Sequence, residues 1–227
     1  MRCLRTALCD RLGIDLPILR APMGSAAGPE LVAAVSEAGG LGLLALTWHT
    51  PEQARRSIRR TRELTARPFG ANLVLDFPVD DLLTVCLDEG VPIMSTFWRD
   101  PSRITARIRG AGALHLHTVG EVAEAVHAVA GGVDVVVAQG WEAGGHVRGG
   151  TTTPALVPTA VDAAGKNHRR YEDQTPLPGM TGDLGDMALY AGQSVNLVHD
   201  VLPAARLVHD MAEQTAATVG LLHSLAA

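Results

Sequence analysis

The stretch Gln139-Gly-Trp-Glu-Ala-Gly-Gly-His146 holds the clearest candidates for chemistry. An imidazole on a glycine-rich loop has no packing task to explain it, so His146 reads as a catalytic base or a substrate-binding group. Gly144 and Gly145 let backbone pass close beside a ligand. Gln139 ends an apolar run with an amide. Glu142 reads as a residue that bonds backbone or caps a helix. Earlier in the chain, Pro22, Met23 and Gly24 form either a tight turn or a backbone edge that approaches a flat ligand. Asn72 is an amide among apolar neighbours, which must bond either nearby backbone or the edge of a heterocyclic ring. His115 and His117 lie two apart and would share one face of a strand. No Asp, Glu or Cys stands beside them to complete a metal site, so they read as buried, hydrogen-bonded histidines.

The elements that must position these residues alternate along the chain. Apolar runs at Pro17 to Ala21, Leu41 to Leu46, Phe69 to Leu75, Ile93 to Thr96, Ala113 to His117 and Val133 to Gln139 read as strands. The last is rich in valine and almost wholly apolar, the pattern of a strand buried on both faces. Helices are predicted over Pro29 to Ala38, Pro51 to Thr65, Val79 to Glu89, Pro101 to Arg109, Val119 to Ala130 and Thr153 to Ala164. Thr50 is a plausible N-cap, with Pro51 in the first helical position. Six strand-plus-helix units in order imply a parallel sheet, because parallel neighbours need a crossover. Either an open doubly wound sheet or a (β/α) barrel fits this rhythm. Both place function where strands end and loops begin.

Composition narrows the class. Of 227 residues, 47% are hydrophobic and 19% charged, which excludes disorder over the whole length. A net charge of −5 argues against nucleic acid as a partner. Arg55, Arg56, Arg59, Arg60 and Arg62 crowd one predicted helix without interleaved aromatics, which suits a solvated face better than a binding patch. No run is long and apolar enough for a membrane span, and Cys3, Cys9 and Cys86 are too scattered for a disulfide framework or a zinc site. A cytoplasmic protein without a bound metal is expected.

Together, the motifs resemble those of the nitronate monooxygenase family, formerly 2-nitropropane dioxygenases. The matching stretches are Ala21-Pro-Met-Gly24, Glu37-Ala-Gly-Gly-Leu-Gly42, Gly70-Ala-Asn72 and, above all, Ala138-Gln-Gly-Trp-Glu-Ala-Gly-Gly-His146. Thr153-Pro-Ala-Leu-Val-Pro158 with Val161-Asp162, and Ala191-Gly-Gln-Ser194, also fit. The histidine motif is shared with flavin-dependent enoyl-acyl-carrier-protein reductases. The resemblance implies a (β/α)8 barrel and FMN as cofactor. It implies that Pro22, Met23, Gly24, Asn72, Gln139, Gly144 and Gly145 face the flavin, and that His146 deprotonates a nitroalkane or holds its nitro group before reaction with oxygen. Trp141 stands where the family usually has a smaller residue.

The resemblance covers most of residues 12 to 164 and resumes from about 175. Two βα units of the full barrel, with their FMN-phosphate loops, are missing between these stretches. The expectation is therefore an incomplete, TIM-barrel-like α/β fold of six units over residues 1–165, a polar junction over 166–186, and C-terminal helices over 187–227. Two predicted helices lie in that tail, at Met187 to Val198 and Pro203 to Leu225. Open sheet edges would favour self-association, and loss of the phosphate loops would weaken FMN binding. The alternatives are a related flavin enoyl-thioester reductase and an inactive remnant with an interaction role.

Overall fold

Five strands form one parallel sheet in unbroken sequence order in the computed structural model, which describes residues 4–26, 28–164 and 200–226. They are β1 (Gly42–Ala45), β2 (Phe69–Val74), β3 (Ile93–Phe97), β4 (Leu114–Val119) and β5 (Val135–Ala138). The helices are α1 (Ala7–Leu12), α2 (Pro29–Glu37), α3 (Pro51–Leu64), α4 (Asp80–Asp88), α5 (Ser102–Gly110), α6 (Val122–Ala130), α7 (Thr153–Ala163) and α8 (Ala204–Ala226). A doubly wound sheet reverses its order at a switch point. Strict sequential order is instead the winding of a (β/α) barrel, here incomplete.

The first unit is reduced to a single parallel bridge, Leu19 to Leu41. Arg20 N donates to Leu41 O at 2.9 Å and Leu41 N donates to Ile18 O at 2.8 Å. The next donor in that ladder would be residue 22, a proline with no N–H. The Arg20 guanidinium takes its place and donates to the carbonyl of Leu43. The apolar run Pro17 to Ala21 thus lies beside β1 as expected, but proline stops it from extending as a strand.

The sheet has two distinct faces. On one, Leu44, Ala71 and Met94 sit level in register, packed against Ile58 of α3, Leu83 of α4 and Ile104 and Ile108 of α5. On the other, the barrel interior, Leu41, Leu43, Ile93 and Leu116 close over Cys9 and Leu12 of α1. Helix α1, not anticipated from the sequence, therefore plugs the N-terminal end of the barrel and leaves the C-terminal end for function.

A local signal explains the start of α3. Thr50 and Gln53 form a reciprocal capping box at α3. Three of the five arginines of α3 are ion-paired: Arg55 and Arg59 bind Glu89, and Arg60 binds Glu30 and Glu63. Strand β4 runs two residues beyond the predicted His117, through Val119, and α6 begins after Gly120.

Strand β5 departs from expectation. Its residues are only half-buried rather than enclosed on both faces. Among the described residues β5 is the last strand, bonded along one edge only, to β4. Helix α8 buries Val208 and Ala212 in a cluster with Leu16, Val35 and Ala38, so the last helix lies beside α2. The polar junction 166–186 and the helix predicted at Met187 to Val198 lie outside the described residues.

Candidate functional site

Side-chain alternation decides which residues reach the barrel interior. Register sets Ala45, Asn72, Ser95, Leu116 and Val135 in one inward row. The Asn72 amide is buried and donates from Nδ2 to Ser95 Oγ at 3.1 Å. Gln139 continues the inward alternation of β5 beyond Val137, and its N–H donates to Val119 O at 2.8 Å. Asn72 and Gln139 are thus two amides on one concave face, Gln139 nearer the C-terminal mouth. Met23 and Gly24 leave the C-terminal end of the first unit, the same end of the sheet.

Three bonds shape the loop after β5. Gly140 lies so close to α7 that an added Cβ would stand 2.2 Å from Thr153 N. Glu142 Oε1 accepts from Thr153 N at 2.8 Å, so this carboxylate caps the start of α7, one of the two roles its sequence suggests. Burial opposes its ionisation, but hydrogen bonds from Thr153 and from backbone outweigh that, and its pKa lies below the usual carboxylate range. At the far end Arg148 is ion-paired to Glu124 of α6. Across the middle, Gln139 Nε2 donates to the carbonyl of His146 at 3.1 Å.

His146 is exposed at the crest of this loop. Its ring meets Trp98 edge to face, with centroids 5.7 Å apart and planes at 88°. Trp98 follows β3 and was not singled out by sequence reasoning. The signal available was an aromatic pair, Phe97-Trp98, at a strand end in a chain with only 4% aromatic residues. Ser95 and Arg20 were missed too. Burial lowers the Arg20 pKa to about 10, and its Nε is buried without a partner.

His115 and His117 are buried on the opposite, helix-covered face and are hydrogen-bonded to Thr96, as their sequence context suggests. They do not join the mouth. Three exposed aromatic side chains follow strand ends instead. Trp48, Phe77 and Trp141 follow β1, β2 and β5 and are exposed, with Trp48 and Phe77 edge to face at 5.9 Å.

The mouth suits a planar heterocycle with polar edges. Gln139 Oε1 is buried without a partner, an acceptor left for a ligand N–H. A Cβ built on Gly24, Gly144 or Gly145 would meet nothing within 4 Å, so all three border open space. Gly145, at φ +78°, also holds a left-handed turn that favours glycine. These features fit FMN at the ring-facing side.

The chain is similar to known proteins. The family described as nitronate monooxygenase matches residues 5–82 and 77–165. The (3aS,4S,5R,7aS)-5-hydroxy-7a-methyl-1-oxo-octahydro-1H-indene-4-carboxyl-CoA dehydrogenase of Rhodococcus jostii is 34% identical over 164 residues, 72% of this chain and 46% of that protein. A nitronate monooxygenase of Paraburkholderia phytofirmans is 34% identical over 182 residues, 63% of this chain and 50% of that protein. Among solved structures, a mutant FabK from Thermotoga maritima superposes with a TM-score of 0.80 at 26% identity, over 97% of this chain and 99% of that one. The chain spans about half the length of the curated relatives it matches. The family match runs without a break from the floor helix α1 to the end of α7, through every strand of the sheet and the loop that carries His146, and the chain therefore belongs to the nitronate monooxygenase family of oxidoreductases.

Proposed function

We propose that this protein oxidises alkyl nitronates or nitroalkanes with oxygen, using FMN. The observation that carries this reading is the exposed His146 imidazole above open glycine backbone, beside the unpartnered amide oxygen of Gln139. In this reading Pro22, Met23, Gly24, Asn72, Gln139, Gly144 and Gly145 hold the flavin ring. When bound there, FMN would supply an electron acceptor for the substrate carbanion and a donor to oxygen.

The chain's own residues do the rest. His146 accepts the α-proton of a neutral nitroalkane and returns it to solvent, to which the ring is open. A nitronate arrives already deprotonated and needs no such transfer. Gln139 holds the His146 main chain and so places the residue at the mouth. The exposed apolar groups of Met23, Trp48, Phe77 and Trp141 offer contact to the alkyl chain.

A second reading is a flavin oxidoreductase acting on an enoyl thioester. It is favoured by the similarity to a carboxyl-CoA dehydrogenase over 72% of this chain. The third, an inactive remnant with an interaction role, follows from the missing phosphate loops. One set of measurements separates all three. Titration of the purified chain with FMN, followed by flavin fluorescence, should show weak but saturable binding. Oxygen uptake with a nitronate supports the first reading, and nicotinamide oxidation with an enoyl thioester supports the second. A chain that stays colourless in excess FMN is the remnant.

A further inference from the structure

We propose that Trp98 is the positioning residue for the His146 imidazole. The inference deepens the proposed function, since it rests on His146 acting as the base. His146 is exposed on a loop whose neighbouring glycines border open space, and the Gln139 bond reaches only its main chain. That bond places the residue but leaves its χ angles free. The ring itself is met by the indole of Trp98, edge to face at 5.7 Å.

The backbone that delivers the indole is unusual. Trp98 and Arg99 both adopt left-handed conformations, φ +64° and +55°, and they are the two non-glycine residues with positive φ among those described. Bulky side chains avoid this region, and two in succession persist only when their surroundings hold them there. Both supports are visible. Arg99 is ion-paired to Asp76 beyond β2, and the Phe97 ring packs against the indole at 5.0 Å. A glycine would follow the same turn without strain. The tryptophan instead turns from the end of β3 to reach a loop that follows β5. An edge-to-face pair defines ring orientation as well as distance, which is what a base requires if its nitrogen is to meet a carbon-bound proton.

Two variants test this. Trp98→Gly keeps the left-handed turn and removes the indole, whereas Trp98→Phe keeps an aromatic face. Histidine ring resonances are recorded by NMR on the full chain without flavin, with His146 assigned through His146→Asn. In Trp98→Gly the His146 ring protons should lose their ring-current shift and move to the position of a free imidazole; in Trp98→Phe a shift should remain. With FMN present, Trp98→Gly should lower kcat for a neutral nitroalkane by about 10- to 100-fold, leave turnover of the matching nitronate unchanged, and be largely rescued by Trp98→Phe. Unmoved His146 resonances in Trp98→Gly would overturn the proposal, as would equal losses on both substrates. If the unaltered chain turns over neither substrate, the proposed function fails. The resonances then decide by themselves whether Trp98 holds the ring.

Discussion

His146 and Gln139 share one loop but do separable work. The imidazole faces solvent and Trp98, while the amide ties the loop to the barrel interior. Replacing His146 by Asn should depress turnover of a neutral nitroalkane by about 100-fold or more, the usual worth of a general base, and spare the nitronate. Steady-state oxygen uptake on both substrates checks it, and equal losses would make His146 a binding residue only. Gln139→Leu removes both the bond to the His146 carbonyl and the unpartnered acceptor. It should weaken FMN binding by about 10-fold, the worth of one hydrogen bond, with little change in thermal stability. Unaltered FMN affinity would take Gln139 out of the cofactor site.

At the scale of elements, β3, β4 and α5 are joined by a buried chain of hydrogen bonds whose direction can be followed atom by atom. Thr105 Oγ1 donates to Pro101 O at 2.9 Å, so it accepts from His115 Nδ1 at 3.1 Å. His115 Nε2 then accepts from Thr96 Oγ1 at 2.8 Å, and Thr96 Oγ1 accepts from His117 Nδ1 at 2.7 Å. The network assigns both rings as neutral Nδ1–H tautomers. Burial is the main cause that pushes the pKa of each down to about 4. An unfolded histidine titrates near 6.5, so the unfolded chain binds more protons between the two values. Stability should therefore fall as pH drops from about 6.5 towards 4. Between pH 7 and 5.5, above the carboxylate range, the pair should cost about 2 kcal/mol of unfolding free energy. Urea titrations at both pH values measure this. A flat profile would mean that the rings are protonated in the fold.

At the scale of the whole molecule, the barrel is unequally finished. Helix α8 already lies beside α2, as the last helix of a barrel lies beside the first, yet β5 is bonded on one edge among the described residues. An unpaired edge is a template for another chain. Sedimentation velocity should therefore show concentration-dependent association. Inserting two βα units from a full-length relative between Ala164 and Gln174 should suppress it and raise FMN affinity, because closure and the phosphate loops return together. Tight FMN binding by the unaltered chain as a stable monomer would contradict this account.

Much of this molecule was decided locally, and that part is legible in the sequence. The alternation of apolar runs with amphipathic stretches determined the parallel sheet, because strand patterns and a cap such as Thr50 with Gln53 act over a few residues. Asn72, Gln139 and His146 could be named because an amide in an apolar run and an imidazole among glycines conflict with their local setting. What only the tertiary structure decided depends on register between segments far apart in the chain. Ser95 meets Asn72 because β2 and β3 pair in one register. Arg20 replaces an N–H that Pro22 lacks opposite Leu43, β5 is half-buried and, among the described residues, paired on one edge only, and Trp98 turns through a left-handed backbone to reach His146. None of these has a local signature, since each is set by which strand lies beside which and where the sheet ends.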